Sequence, residues 1–507
     1  MRLRDYYNKV CALRRGLLAL LLLITLAPVG AKTRIMLISD PHVMGPGLLI
    51  SDGEAWEHAN YYDRKLNDYS RAIYDEVIAI ALREKPDLFL ISGDLTKDGE
   101  WLSHQYVVGK LQELKAAGIP AFVIPGNHDM GTSEALYFDG DDAYKADTIN
   151  VRQFAELYRD FGYGDTSERE PTTLSWCCEP IDGLVLVGLD TGHDSDLLNG
   201  VISTTTLEWA REQAETATKA GKQVLVMMHH TLFPHVTNAE KFSSTYVVKL
   251  GVKRDDGLYS YFSYSDIRDY LADAGVGVVF SGHVHASDIA KDANYNLSRT
   301  IHDICTASCA AYPNPYRMLT INDDGATMRI ETHYITELPG VDDFATLAEE
   351  RMTQGLVNLV NNITHNQDAS ELFADIFKVH VAGNEPENPR QQEFMTKYKE
   401  YLPMMKENAM INNYLTAYGV TFDELTQMVY SMLEDKSYYG DPNRESLDDD
   451  LNTTIPIRGD GWTGIDPVIR RQESGDGGQW YTLQGLRINK PEQKGIYIHN
   501  GRLVVKR

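Results

Sequence analysis

Basic residues are scarce in this chain. Lys and Arg total 48 of 507 residues against 73 Asp and Glu, a formal net charge of -25. That balance excludes broad binding to nucleic acid or to an anionic membrane, because both need a basic field. A small anionic substrate stays admissible, since bound metal ions can reverse the field locally. Cysteine is scarcer still, with five residues, and "CTASC" at 305–309 has no second cysteine pair at the spacing of a structural zinc site. No long internal repeat and no low-complexity tract occurs. The one strongly apolar run, "GLLALLLLITLAPVG" at 16–30, is shorter than the roughly 20 residues of a comfortable membrane span. What is present is ordinary: 43% hydrophobic and 24% charged residues, the composition of a folded soluble protein long enough for several domains.

Arg2, Arg4, Lys9, Arg14 and Arg15 lie at the start of the chain, and the small residues "VGA" close the apolar run. This is the arrangement of a secretory signal peptide over residues 1–31, with cleavage after Ala31; an uncleaved N-terminal anchor is the alternative. Cys11 precedes the apolar run and so cannot be the lipid-bearing cysteine of a lipoprotein. Cleavage leaves Cys177, Cys178, Cys305 and Cys309, read as structural. In an oxidising compartment these could pair, with a connectivity the sequence leaves open; sequence neighbours bond each other only with strain, which favours a link from 177 or 178 to the 305/309 pair.

From about 33 to 335, short apolar runs ("RIMLIS", "DLFLIS", "AFVIP", "LVLVGL", "QVLVMM", "GVGVVFS") alternate with helix-like stretches, the pattern of an α/β domain over 32–338. A polar, aromatic-rich insert at 130–170 is expected to shape a substrate cleft. Residues 339–436 carry apolar residues at helical spacing, with Thr421 and Glu424 forming a capping box, and read as a helical subdomain packed on the core. Asp, Gly, Pro and Ser enrich 437–475, which reads as a linker. In the last segment, 476–507, Asn500-Gly501 between two apolar runs predicts a two-residue hairpin turn.

Candidate ligands follow five of the apolar runs at once: Asp40 and His42; Gly93 and Asp94; Gly126-Asn127-His128-Asp129; His229-His230; Gly282-His283-Val284-His285. In open α/β sheets the functional crevice lies at the carboxyl ends of the strands. Each motif alone is weak, but all five at strand ends in this order make a specific signal. An extended "GHVH" would point His283 and His285 the same way, about 6.6 Å apart, each towards a different metal. The remaining histidines, His58, His104, His193, His235 and His302, read as surface or satisfied polar groups, with His193 and His235 noted for following strand ends near the site.

The set D-x-H, G-D, G-N-H-D, H-H and G-H-x-H resembles the calcineurin-like metallophosphoesterase superfamily over roughly 33–335, and "LVGLDTGHD" with "QVLVMMHH" resembles its phosphodiesterase branch. The segment "TLFP" after the histidine pair departs from the family's frequent proline-rich run. The resemblance implies a four-layer α/β/β/α sandwich with a two-metal site at the strand ends. It implies that Asp40, His42 and His285 hold one metal, that Asn127, His229 and His283 hold the other, and that Asp94 bridges them. Mixed oxygen and nitrogen ligands suit Mn, Fe, Zn or Co better than Ca. It further implies hydrolysis of phosphate esters by a metal-activated hydroxide, with His128 as the general acid and Asp129 orienting its imidazole. His230 would then be a substrate contact or support a ligand from behind.

Two divalent ions, Asp40, Asp94 and a bridging hydroxide leave the cage at +1, which favours a small anionic phosphate ester. A phosphodiester is the leading substrate class. A phosphomonoesterase or nucleotidase, a sphingomyelinase-like diesterase and a non-enzymatic ligand-binding scaffold are the alternatives. The tail "WYTLQGLRINKPEQKGIYIHNGRLVVKR" resembles the C-terminal sorting-type module of secreted proteins from the Bacteroidota. With the N-terminal segment, it implies export (periplasmic, outer-membrane-associated or secreted) and export machinery as a partner.

Overall fold

The computed structural model describes residues 32–458, apart from 194–196, 198, 243–245, 255, 295–297, 323–324, 384–387, 435–444 and 447–448, together with four strands beyond 479. The apolar runs form strands β1 (Thr33–Ile38), β2 (Leu88–Ile91), β3 (Ala121–Val123), β4 (Leu184–Leu189), β5 (Gln223–Met228), β6 (Val278–Ser281), β7 (Asp288–Ala293) and β8 (Thr300–Cys305). In one sheet β1, β2 and β3 lie side by side and parallel, with Ile38 opposite Ile91 and Ile91 opposite Val123. Pro315–Ile321, Thr327–Tyr334 and Asn452–Pro456 extend that sheet beyond β1. In the second sheet β4, β5, β6 and β8 are parallel neighbours, and β7 pairs antiparallel with β8.

Both faces of the second sheet are buried, which is why its strands read as continuous apolar runs rather than alternating ones. Leu186, Met227 and Phe280 face the first sheet, in one core with Ile35, Leu37 and Leu90. Val187, Val226 and Val279 face the opposite core, which includes residues of Thr204–Lys219 and Tyr264–Asp273. Helices Ser70–Glu84 and Trp101–Ala116 contribute Ile73, Val77, Val107 and Leu111 to the first core. The chain is therefore the four-layer α/β/β/α sandwich expected, with the sheets at its centre.

A helical region follows, with helices at Phe344–Thr364, Gln367–Ala382, Gln391–Glu407, Ala409–Tyr418 and Phe422–Glu434. The Thr421–Glu424 capping box forms: Thr421 N donates to Glu424 Oε2 (2.7 Å), and Glu424 N to Thr421 Oγ1 (3.2 Å). Ile376, Val379, Phe394 and Val429 form a core with Val236 and Ala239, so these helices pack on the segment just after the histidine pair.

Two expectations need correction. Two stretches inside the expected linker are strands: Glu445–Ser446 pairs with β7, and Asn452–Pro456 pairs with Thr327–Tyr334 as an edge of the first sheet. The β-branched run "NTTIPI" outweighs the turn-rich composition around it, because an open sheet edge satisfies its backbone. Cys177, Cys178, Cys305 and Cys309 are free and buried, without the favoured link between the two pairs. Cys177 and Cys178 lie on Trp176–Ile181, four strand positions from the β8 residue Cys305. That separation is about 19 Å at ordinary strand spacing, far beyond disulfide reach. Beyond residue 479, strands 487–488, 480–482, 495–499 and 502–506 pair in that order; His499 opposes Arg502, while Asn500 and Gly501 lie outside the described residues.

Candidate metal centre

Parallel pairing in register brings the strand ends out together. Asp40 N donates to Gly93 O (3.1 Å) and His42 N to Asp94 O (3.0 Å), so the loops after β1 and β2 zip against each other. Within the second sheet Gly282 N donates to His229 O (2.9 Å), and across the sheets His283 N donates to Asp40 Oδ2 (3.1 Å). Among the described residues ten non-glycine positions have positive φ, and Asp40, His42, Asp94, His283 and His285 are five of them. Left-handed backbone costs each of these side chains energy, and such strain concentrates where a site demands it.

Two ligand groups result, each able to hold a metal ion: Asp40, His42, Asp94 and His285, and Asp94, His229 and His283. Asp94 belongs to both. His42 Nε2 lies 3.1 Å from His285 Nε2, and His285 Nε2 lies 3.1 Å from Asp40 Oδ1. In the second group His229 Nε2 sits 3.2 Å from Asp94 Oδ2 and 3.1 Å from Asn127 Oδ1. The structure thus brings all seven expected ligands to one place. It differs at "GHVH", where β6 ends at Ser281 and His283 (φ 68°) and His285 (φ 56°) are left-handed rather than extended. The two imidazoles diverge to separate groups because the chain curls over the cage.

Donor chemistry fits a cation. His229 Nδ1 lies 2.9 Å from the Ser92 carbonyl, which only accepts, so Nδ1 carries a proton, and in the neutral ring Nε2 turns a lone pair towards two oxygens. Three acceptors converging in a buried site need positive charge between them. The field shows the same demand: burial opposes a charged His229, yet Asp94 and Asp40 raise it to about 10. Burial, with His229, lowers His283 to about 3, and burial, with Lys65, keeps His42 well below the usual imidazole range. Both are thereby held as the neutral imidazoles that ligate metals.

His128 stands at the margin of the cage with its side chain 30% exposed, its ring 4.9 Å from that of His42. Its Nδ1 bonds Asp98 Oδ1 at 2.8 Å. The expected orienting group, Asp129, does something else. It accepts from the backbone of Leu95, Thr96 and Gly126 (3.1, 2.9 and 2.8 Å), and so locks the G-D loop to the G-N-H-D loop. Three backbone donors next to Asp129 capture its carboxylate before the imidazole can. Burial, then the Asp94 charge, pushes Asp129 up to about 6. Asp98 was missed because an acid in "LTKDGE" looks like any solvated loop residue; Lys97, bonded to its other oxygen, was the available hint. Burial resists charge on His128, but Asp94 and the Asp98 bond raise its pKa.

His230 joins neither ligand group. Its Nδ1 bonds Thr191 Oγ1 (2.7 Å), and its ring lies 4.3 Å from that of His283, which it backs. His104 bonds Tyr158 and Asp129 O and is a satisfied polar group; His193 is held by Asp190 through Nδ1 at 3.1 Å, but its buried Nε2 has no hydrogen-bond partner among the described residues, so it is only half satisfied; His58 is exposed. From the insert, Thr132 Oγ1 donates to Asp98 O (2.6 Å), tying that segment to the loop behind His128.

Fold and cage together define a metal-dependent phosphoester hydrolase. The chain belongs to the calcineurin-like phosphoesterase family, whose model matches residues 33–287. This family is dimetal-dependent, in keeping with the two ligand groups that share Asp94. The chain is 24% identical over 312 residues to a protein of Arcobacter nitrofigilis named as a probable glycerophosphodiester phosphodiesterase, GpdQ, covering 60% of this chain and 89% of that one. Among solved structures it is similar to a dimetal phosphatase from Danio rerio (13% identity, TM-score 0.40, 60% of this chain and 96% of that one). It is also similar to GAP50, the anchor in the inner membrane complex of Plasmodium (10% identity, TM-score 0.28, 64% and 94%).

Proposed function

We propose that this protein hydrolyses phosphodiesters, with Asp40, His42 and His285 holding one metal, Asn127, His229 and His283 the other, and Asp94 shared. The metals, when bound, supply Lewis-acid polarisation of the phosphoryl oxygens and activation of water. The chain's own part is proton delivery and positioning. Asp98 takes the Nδ1 proton of His128 as a hydrogen-bond partner, so the proton passed to the leaving alkoxide is the one on Nε2. The single observation that carries the reading is this part-exposed His128–Asp98 pair beside two ligand groups that share a carboxylate. Preference for a diester is supported by the name of the Arcobacter relative.

Purified residues 32–507 loaded with Mn are expected to turn over bis(p-nitrophenyl) phosphate faster than p-nitrophenyl phosphate, and chelation should abolish both activities. A faster monoester reaction would replace the diesterase reading with a phosphomonoesterase. No hydrolysis of either ester would leave only the binding scaffold. Export is supported by the basic, apolar 1–31 segment and by the tail. No described helix is long and apolar enough to cross a membrane. Mass spectrometry of the secreted fraction should find an N-terminus at Lys32; an intact Met1 in the cytoplasm would sink the export proposal.

A further inference from the structure

Behind the second ligand group lies a buried charge cluster outside the catalytic cage. His235 Nδ1 lies 2.7 Å from Asp288 Oδ1, and its Nε2 lies 3.2 Å from Asp303 Oδ2. All three side chains are almost wholly buried. Asp303, on β8, reaches both ligand-bearing loops. Its Oδ1 accepts from Ser281 Oγ (2.6 Å), two residues before His283, and its Oδ2 accepts from Leu232 N (2.6 Å), three residues after His229. Asp288 lies three residues after His285. The segment 229–235 is therefore clasped at both ends onto 281–288. The helical region closes over the clasp: Ser287 N donates to Val381 O (3.1 Å), and Val236 packs with Ile376 and Val379.

Burying one cation between two carboxylates is expensive, and apolar side chains of the same volume commonly stabilise a core as well or better. A cluster of this kind, placed where one strand is bonded to two metal-bearing loops, has a use beyond stability. We propose that His235, held between Asp288 and Asp303, is a positioning residue for the second metal: it fixes the separation of His229 and His283. The inference rests on the ligand roles given above for those two histidines. Burial opposes the charge, but Asp288 and Asp303 raise His235 to about 10, so the clasp is charged at neutral pH.

Calorimetric titration of the metal-free protein with Mn2+ tests this without using activity. Wild type should bind two ions. His235→Gln and Asp303→Asn should each weaken one of them by about tenfold or more, the scale seen for groups that support metal ligands from behind, and leave the other unchanged. Asp292→Asn is the control: it breaks the buried Arg268–Asp292 pair on the same sheet, away from the ligand loops, and should lower Tm without moving either affinity. If His235→Gln lowers Tm but leaves both affinities as they were, the clasp is structural and the inference is wrong. Should His235→Gln not fold, Asp303→Asn decides in the same way. Fewer than two ions on wild type would instead count against the ligand assignment itself.

Discussion

At the scale of single residues, the proposed mechanism divides the work of proton transfer between His128 and Asp98. Removing the imidazole matters in proportion to how badly the leaving group needs a proton. His128→Ala should cut kcat about a hundredfold or more on an alkyl phosphodiester, and far less on a p-nitrophenyl ester, whose phenolate leaves unassisted. Asp98→Asn should reproduce part of that pattern by loosening the ring. Equal losses on both substrates for His128→Ala would remove its role as acid. Asp129 illustrates why neighbours in sequence mislead. It follows His128 directly, yet three backbone donors claim its carboxylate, and the partner of His128 comes from thirty residues earlier.

Elements matter because the candidate ligands sit where strands stop. The loops after β1, β2 and β6 approach so closely that some positions have no room for a side chain. A Cβ at Gly282 would overlap Ser39 Oγ and Asp40 Oδ2, and one at Gly93 (φ 93°) would overlap the His229 ring. Gly282→Ala is expected to cost about 1–3 kcal/mol of stability through overpacking and to lower metal content, since the strain falls on Asp40. Denaturant midpoints and metal analysis read the two effects; normal values of both would mean that the Ser39–Asp40 loop yields freely. These approaches were legible only in part. The glycines mark the strand ends in the sequence, but the atoms they admit come from segments more than 240 and more than 130 residues away. The left-handed backbone at His283 and His285 was not legible either, because alternation predicts an extended strand end and the turn over the cage is a tertiary demand.

For the whole molecule, buried histidines set opposite limits on stability with pH. His235 faces Asp288 and Asp303, with His380 and the Tyr246 hydroxyl nearby. Its folded pKa, raised to about 10, exceeds its unfolded value, so the folded state binds the extra proton. That contribution is complete below roughly pH 6.5 and is lost as pH climbs towards 10. Burial lowers His104 and His380 to about 4. There the unfolded state takes up protons first, and stability declines as pH falls from about 6.5 towards 4. Calorimetric Tm should therefore peak near neutrality and decline on both sides, and His235→Gln should flatten the alkaline limb. An unchanged alkaline limb in that variant would place the loss elsewhere.

By itself the sequence determined the layers, the strands that end in ligands and the chemical kind of the site, because local patterning and residue type are properties of short segments. The five motifs needed no knowledge of packing to be found. Tertiary structure alone decided which carboxylate bonds His128, that Cys177 and Cys178 lie too far from Cys305 to join, that the strands at 445–446 and 452–456 close two sheet edges, and that a buried clasp backs the second ligand group. Each of these depends on which distant segments meet, and a meeting in space leaves no periodic trace along the chain.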